Sequence, residues 1–245
     1  MNSSEIKGAF YIALKDLRTY YLKPPNISWG IMFPIVMALA FIFRNPTGIK
    51  ELIPGLIAMS ILFASTSAEA IVIVFERRTK TFERLLLAPL SIKSVLFGKV
   101  MGGIIFGFLI SSIFLVDSVL FLKSSVSNFM FLTLSLLVSA LAFSVFGTLV
   151  SVYVKEIFDA MNLANFFRFP MIFLCGVFLP VSSMSSFIQP LAYAFPLTYS
   201  VDLIHFFLTG TYDLVNPLIS FLVLIIYSII LFYLSVFTLK RRIEQ

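Results

Sequence analysis

The chain has 245 residues, of which 60% are hydrophobic and only 12% are charged, and its mean hydropathy is +1.02. Soluble domains are about half apolar and about a quarter charged, because a larger apolar fraction would leave extended apolar patches on the surface. The composition therefore excludes an ordinary soluble domain. It indicates a helical membrane protein that is too short to carry a soluble catalytic domain as well.

The net charge of +6 comes from 18 Lys and Arg residues against 12 Asp and Glu residues. The cations lie in short segments between apolar runs, as the positive-inside bias of membrane proteins requires, so the charge does not indicate a nucleic-acid partner. The single cysteine, Cys175, excludes an intrachain disulfide. The first 26 residues lack an apolar stretch with a small-residue cleavage site, so we expect no removable signal peptide.

The first predicted element is an amphipathic helix over Glu5–Tyr21. Ile6, Phe10 and Leu14 recur at helical spacing, and Lys and Arg residues occupy the other faces. The proline pair that begins at Pro24 ends this helix. A basic amphipathic helix beside a membrane span is expected to lie in the plane of the interface. The alternative is a tail that faces the aqueous phase.

Six apolar runs follow, each close to the roughly 20 residues that cross about 30 Å of hydrocarbon. They predict an all-α membrane protein with six transmembrane helices in a single domain, residues 1–245. The runs are Ile27–Phe43, Leu52–Phe75, Val95–Leu122, Phe129–Val154, Ala160–Pro180 and Leu214–Leu239.

The distribution of basic residues predicts the orientation. With the N-terminus in the cytoplasm, only Arg44, Lys50 and Lys123 of the 18 Lys and Arg residues lie on the outer side. The cluster Lys240–Arg242 must then be cytoplasmic too, which requires an even number of spans. We therefore expect a multi-pass protein of the cell membrane with both termini cytoplasmic.

The segment Val181–Asp213 is apolar, but prolines and polar residues interrupt it. A seventh span there would place the C-terminal cations outside. Irregular backbone at membrane depth is tolerated where protein shields it or where it lines a cavity, so we predict a re-entrant pair of short helices before the last span. The residues that mark this candidate segment are Pro180, Pro190, Pro196, Tyr199 and Asp202.

Catalytic motifs are scarce. His205 is the only histidine, which excludes multi-histidine metal sites, and we expect it to be an interfacial or helix-capping residue. The pair Gly98-Lys99 is no phosphate-binding loop, because Lys93 replaces the first glycine of that motif and Val100 replaces its hydroxyl residue. We expect no catalytic site, no metal and no bound cofactor in this chain.

The connection between the second and third spans, Glu76–Ser91, predicts a short cytoplasmic helix that ends at Pro89. Phe82, Leu85 and Leu86 lie at spacings i, i+3 and i+4 and give it one apolar edge. Such a helix can dock in the groove of a partner protein or rest on lipid head groups. Physical reasoning alone leaves both alternatives open.

The same connection resembles the permeases of ABC-2 type exporters, whose run reads E-R-E-x-G-T-L-E-x-L-L-x-T-P-L-S and is followed by G-K. This chain has Glu76-Arg77, Thr81–Leu86, Pro89-Leu90-Ser91 and Gly98-Lys99 in register. A second stretch, from Gly176 through Asp202, resembles the segment between the last two spans of that family. Two departures are Lys80, where the family has Gly, and Arg78, where an acid is common.

The resemblance implies that two such half-permeases pair, as a homodimer or a heterodimer, and bind a separate ABC ATPase subunit that holds ATP and Mg. It also implies that the helix after the second span is the coupling helix and that the re-entrant pair caps the outward side. The coupling residues would be Glu76, Arg77, Phe82, Glu83, Arg84, Leu85, Leu86 and Pro89.

Two carboxylates lie within predicted spans, where ionisable side chains are costly and are candidates for function. Glu69, in the run Ser65–Glu69, is a candidate for the pathway or for gating. The alternative is that it serves as a structural partner for a polar group of another helix. Asp117, near the outward end of the third span, is expected to be interfacial.

The sequence thus predicts the permease subunit of an ATP-binding-cassette exporter that moves an unidentified substrate. An ion-coupled secondary transporter is the alternative, in which Glu69 and Asp117 would bind protons or ions. That class is typically built from internal repeats, and the sequence shows none. An intramembrane enzyme would need a constellation of His, Cys and carboxylate residues that is missing here.

Overall fold

The computed structural model describes residues 3–44, 49–122, 126–211 and 213–243. Lys123 and the side chains of Arg44 and Lys50 lie outside this description. The described ranges contain helices and their connections, and no β-strand. The helices are α1 (Ser3–Asp16), α2 (Pro24–Arg44), α3 (Ile49–Arg78), α4 (Thr81–Leu86), α5 (Ile92–Leu122), α6 (Phe129–Tyr153), α7 (Ile157–Leu174), α8 (Gln189–Tyr193), α9 (Pro196–Thr209) and α10 (Pro217–Ile243).

Helix α3 lies at the centre of the bundle and packs against α2, α5, α6, α7 and α9. No hydrophobic gain drives one apolar helix onto another in lipid, so membrane helices associate through close packing contacts. Small residues permit that close approach of the backbones. Gly107 of α5 faces Ser65, and a Cβ added there would lie 1.9 Å from the Ser65 Oγ. A Cβ added to Gly147 of α6 would lie 2.9 Å from the Cβ of Glu69. These contacts place the polar residues of α3 inside the bundle.

Within the described residues, four helices are long and apolar enough to cross a membrane: the segments 51–78, 92–120, 129–153 and 217–243. They correspond to four of the six predicted spans. Helix α2 has 21 residues, and the longest part of it whose side chains are all described, Gly30–Phe41, is apolar. Helix α7 carries Asp159 and Arg168 within its 18 residues, which lowers its hydropathy. The fifth predicted span, 160–180, is wrong at its end, because α7 ends at Leu174.

The surface of the bundle is apolar. On α10, Leu218, Leu222 and Ile226 are exposed; on α5, Leu109 and Leu120 are exposed. A soluble protein would not leave such rows of large apolar side chains uncovered. These faces are typical of helices that contact lipid.

Helix α1 and the π-helical turn that follows it, Leu17–Tyr21, lie along α5. The buried residues of α1 include Ala9, Ile12 and Ala13, while Ile6 and Phe10 are exposed. The apolar stripe predicted from the sequence therefore faces outward at its N-terminal part, and small residues form the packed face. Gly98 of α5 permits this approach, because a Cβ there would lie 2.6 Å from the Ala9 carbonyl oxygen.

The predicted pair of short helices after the fifth span corresponds to α8 and α9. Pro196 is the first residue of α9 and separates it from α8. Gly210 ends α9 in the left-handed conformation, with φ of +83°, which glycine adopts without steric cost. His205 caps this end, since its Nδ1 lies 2.9 Å from the Thr211 carbonyl oxygen.

Candidate functional site at the connection between α3 and α5

The predicted coupling segment begins later than its motif suggested. Glu76, Arg77 and Arg78 are the last residues of α3, and the short helix α4 covers only Thr81–Leu86. Lys80 joins the two helices with φ of +56° and is the one described non-glycine residue with a positive φ. A left-handed backbone conformation is costly for a residue with a Cβ atom, which glycine lacks. The turn geometry therefore explains why related sequences would use Gly at this position.

Glu76 lies in a buried ion cluster behind the connection, which also contains Lys15, Asp16 and Lys99. The Nζ of Lys99 is 2.6 Å from the Oε2 of Glu76 and 2.9 Å from the Oδ2 of Asp16. The Nζ of Lys15 is 2.5 Å from the Oε1 of Glu76 and 2.8 Å from the Oδ1 of Asp16. Two cations and two anions therefore balance within one cluster.

This ion cluster joins α1, α3 and α5 at one end of the bundle. The side chains of Asp16 and Lys99 are fully buried and that of Glu76 is 1% exposed. Removing charged groups from water costs several kcal/mol per ion, and it is compensated only by close opposite charges. Burial, followed by the negative charge of Glu76, also raises the pKa of the neighbouring Tyr20. The Lys99 of the Gly-Lys pair thus secures α1 rather than binding phosphate.

Arg77 also has an intramolecular role. Its Nη2 donates hydrogen bonds of 2.7 Å to the carbonyl oxygens of Ser151 and Val154 at the C-terminal end of α6. Arg242 of α10 donates to the same Val154 oxygen at 2.9 Å. Cations stabilise the C-terminal end of a helix because the free carbonyl groups there carry partial negative charge. The two arginines therefore tie α3 and α10 to α6.

The apolar edge of α4 faces the protein itself. Phe82 is 2% exposed and packs in a cluster with Ile12, Ile73, Val95 and other buried residues. Leu85 and Leu86 are half-buried against the same cluster. The side chains of Phe82 and Glu76 are thus buried within this chain. The spacing had predicted for Phe82 an apolar edge open to a partner or to lipid, and the resemblance had implied a coupling role for Glu76. The spacing identified an apolar face but could not show which surface it covers.

The outer face of the connection consists of Glu83, Arg84, Leu87 and Pro89, which are all exposed. The side chain of Leu87 is 86% exposed although the residue is apolar. The spacing of Phe82, Leu85 and Leu86 does not mark Leu87, because Leu87 follows the helical stripe rather than belonging to it. The sequence does carry a signal, because the three consecutive leucines Leu85–Leu87 cannot all lie on one face of a helix. At least one of them must point away from the buried side.

Glu69 lies inside the bundle and accepts two hydrogen bonds. The hydroxyl of Tyr21 donates to its Oε2, and the Oγ1 of Thr148 donates to its Oε1 at 2.9 Å. The side chain is fully buried, and it joins α3 to α6 and to the turn after α1. These contacts favour the structural alternative for Glu69. Asp117, in contrast, is exposed near the end of α5.

A cavity of about 640 Å³ lies at the opposite end of α3. The first turns of α3, the segment 175–181 and helix α9 form its walls. Its lining includes Glu51, Cys175, Pro180, Asp202 and His205.

Asp202 secures the end of α9 next to this cavity. Its Oδ1 accepts hydrogen bonds from the backbone N–H groups of Asp213 at 2.9 Å and Leu214 at 3.2 Å. The Oγ of Ser220 donates to its Oδ2 at 3.2 Å. Asp213 in turn accepts from Ser182. Asp202 therefore fixes the chain between α9 and α10 and links it to the segment after Pro180.

The other residues predicted for this segment have separate positions. Pro190 lies in the first turn of α8, and Pro196 starts α9 and is buried. The hydroxyl of Tyr199 donates to the Tyr193 carbonyl oxygen at 2.9 Å and joins the two short helices. Only Pro180 and Asp202 of the five marked residues line the cavity.

These features define a polytopic helical membrane protein with a compact loop at one end of its central helix and a cavity at the other. A family model described as ABC-2 type transporter matches residues 9–208. The chain belongs to the ABC-2 type transporter family and is a membrane transport permease. Members of this family normally pair with an ATPase subunit, and the permease is not itself catalytic.

Curated relatives agree with this assignment. The inner membrane transport permease YadH of Escherichia coli (strain K12) is 28% identical over 235 residues, which cover 90% of this chain and 87% of that protein. The permease of the same name in Shigella flexneri has the same identity and coverage. The chain is accordingly a protein of the cell membrane.

Proposed function

We propose that this chain is the permease subunit of an ATP-driven exporter, with six spans and a separate ATPase subunit that binds ATP and Mg. The family membership supports this proposal. Four helices among the described residues are long and apolar enough to span. Helix α2, with 21 residues, and α7, with 18, would supply the other two spans, since a helix rises about 1.5 Å per residue.

The exposed face of Glu83, Arg84, Leu87 and Pro89 is the proposed contact with the ATPase. The exposure of Leu87 supports this contact most directly. Its apolar side chain is 86% exposed at the tip of a short loop with charged neighbours. An apolar anchor inside a charged rim is typical of protein interfaces. Phe82 and Glu76, which lie behind this face, would hold the loop in position.

Force on this loop would pass to three helices. Helix α4 contacts α3 and α5, Phe82 shares a buried cluster with Ile12 of α1, and the ion cluster joins the same three helices. Closure of an ATPase dimer could thus move the ends of α3 and α5 together with α1. The permease would work as a dimer, and its two copies would be identical or related.

The opposite end of the bundle, with the cavity and helices α8 and α9, would face the exterior and cap the outward side as a re-entrant pair. Both termini would then be cytoplasmic. Protease access at Lys240 and reporter fusions after Ile243 would test the orientation. An exterior C-terminus would contradict it.

The sharpest test of the ATPase contact is Leu87→Asp. The substitution lies on the exposed tip, so the chain should insert and fold as the wild type does. At an interface, the aspartate would lose the gain of burying a leucine, about 1.5–3 kcal/mol, and it would bury an unpaired charge. We expect ATPase activity that co-purifies with the wild-type chain to fall at least tenfold with the variant, at matched membrane expression.

The matched control is Tyr153→Asp, which introduces the same charge at a side chain that is 62% exposed at the same end of the bundle but outside the loop. It should retain the ATPase. Unchanged recovery of the ATPase and unchanged transport with Leu87→Asp would refute the contact. Transport by the purified chain on an ion gradient without nucleotide would instead favour the secondary transporter.

A further inference from the structure

A second cation, Arg168 of α7, is buried in the bundle, and its hydrogen-bond partners among the described residues are uncharged. Its side chain is 5% exposed. The Nη1 donates to the Oγ of Ser67 at 3.1 Å and to the Oδ1 of Asn165 at 3.2 Å. In the part of the chain that the structure describes, no Asp or Glu forms an ion pair with Arg168.

Arg168 also keeps an unused donor. Its Nε is buried and has no hydrogen-bond partner among the described residues. An arginine presents its donors as a planar fork that matches a carboxylate or phosphate group. A buried guanidinium with only neutral partners is costly to keep, and intramembrane ionisable residues are candidates for function. The cost indicates that another group completes this site.

A cavity of about 150 Å³ adjoins Arg168, between α2, α3 and α7. Its polar lining consists of Ser67, Asn165 and Arg168. Its other walls are three aromatic residues, Phe33, Phe63 and Phe169, and three aliphatic ones, Ala70, Ile71 and Met161. The guanidinium carbon of Arg168 is 5.3 Å from the centre of the Phe63 ring. The Phe33 ring lies 4.5 Å from Phe63 and 6.2 Å from Phe169. The cation thus lies at the edge of an apolar, ring-lined pocket.

We infer that this pocket binds an amphiphilic anion, with its phosphate or carboxylate head group on Arg168 and its apolar part against the Phe33, Phe63 and Phe169 rings. The volume of about 150 Å³ holds one oxyanion group and a short part of the attached chain. Two of the lining residues, Met161 and Phe169, are 42% and 46% exposed, and we place the mouth of the pocket at Met161. The rest of the molecule would extend past Met161 toward the lipid. The site belongs to this chain alone and does not depend on an ATPase partner.

The test uses the purified full chain in an uncharged detergent, with dodecyl phosphate as the probe and dodecanol as the uncharged match. Dodecyl phosphate at about 100 times its Kd should raise Tm by about 5–10 °C, whereas dodecanol should not. Inorganic phosphate should have little effect, because it cannot use the aromatic walls. An equal shift with inorganic phosphate would overturn the assignment to an amphiphile.

Arg168→Gln should abolish the shift, and Arg168→Lys should retain part of it. Arg168→Gln should not lower the Tm of the ligand-free protein, because it removes a buried charge without a counter-ion. Arg18→Gln, which makes the same change at an exposed arginine, should keep the full shift and controls for unspecific attraction of the anion to a basic protein.

Met161→Trp provides an independent arm, since it narrows the mouth of the pocket and leaves Arg168 in place. Met161→Trp should raise at least tenfold the dodecyl phosphate concentration that gives half of the maximal Tm shift. A full shift in Arg168→Gln, or no shift of the wild type at saturation, would overturn the proposal. A further outcome is that the wild type responds to no anion and that Arg168→Gln dissociates a dimer. The missing partner of Arg168 would then lie in a second copy of the chain, and the proposal would equally be overturned.

Discussion

The two ends of α3 are held by different chemistry. At the Glu76 end, side-chain charges from α1, α3 and α5 meet in a buried cluster with Lys99 at its centre. At the Glu51 end, the Asp202 carboxylate accepts hydrogen bonds from backbone N–H groups of the chain between α9 and α10. A cavity of about 640 Å³ remains open there.

The difference concerns rigidity. Ion pairs of low exposure fix the relative position of helices, because any separation leaves a charge uncompensated in an apolar surrounding. Hydrogen bonds to a connecting segment fix that segment without joining the long helices to one another. The Glu76 end is therefore suited to transmit a displacement as one body, and the Glu51 end is suited to change the shape of a cavity.

The largest effect should come from Lys99→Met, which breaks the ion cluster. Asp16 and Glu76 would remain buried with only Lys15, which is 39% exposed. Removing one partner of a buried ion pair costs about 3–5 kcal/mol of stability. Thermal unfolding in uncharged detergent measures this loss. Lys93→Met, at an exposed lysine of the same helix, is the matched control and should have little effect. The double variant Lys99→Met/Asp16→Asn should recover part of the stability, and no recovery would show that packing rather than charge dominates.

The next effect concerns Gly55 at the other end of α3. A Cβ there would lie 2.3 Å from the carbonyl oxygen and 2.7 Å from the Cα of Val177. Both are backbone atoms that no rotamer change can move, so Gly55→Ala should cost about 2–3 kcal/mol, as overpacking does. The displaced segment should also expose Cys175, which is buried.

Thiol labelling measures this exposure without further engineering, because the chain has one cysteine. We expect Gly55→Ala to label at least tenfold faster than the wild type. Gly30→Ala is the control, since its added Cβ would meet its nearest neighbour at 3.4 Å. Equal labelling rates in Gly55→Ala and the wild type would contradict the close approach of the segment 175–180 to α3.

Asp202→Ala should have a smaller and more local effect. It removes the acceptor for two partly buried backbone N–H groups. Fully buried donors left unsatisfied cost about 1–3 kcal/mol, so we expect a loss near the lower end of that range. Hydrogen exchange at residues 213–216 should rise, while exchange around the ion cluster should stay unchanged. Asp202→Asn retains one acceptor oxygen, so its exchange rate at residues 213–216 should lie between those of the wild type and Asp202→Ala. Faster exchange at both ends would mean that the ends are coupled rather than independent.

The smallest effect, with opposite sign, is expected for Lys80→Gly. Relief of the left-handed backbone at this turn should stabilise the protein by about 1 kcal/mol, with a slight rise in Tm. Lys80→Ala removes the same side chain but keeps the strain, so it should bring no gain. Equal stability of the Gly and Ala variants would show that the turn carries no strain.

Sequence reasoning predicted the features that depend on local composition. Hydropathy identified a helical membrane protein, and four of its six runs match helices long and apolar enough to span. Pro196 marked a helix boundary because proline is favoured at the first position of a helix, where its missing N–H group has no intrahelical partner to lose. The motif around Glu76 and Pro89 identified the family, since the order and spacing of residues are properties of the chain itself.

Tertiary structure alone decided which of those residues face inward. Phe82 and Leu87 are both apolar and five positions apart, yet one is 2% and the other 86% exposed, because α1, α3 and α5 cover only one side of the loop. Lys99 and Arg168 are both cations in apolar helices, yet only Lys99 has buried carboxylates beside it. The rotation of packed helices determines which charges meet. Helix rotation depends on contacts between segments far apart in the chain, such as Asp16 and Lys99, which are 83 residues apart. No local pattern in the sequence carries that information.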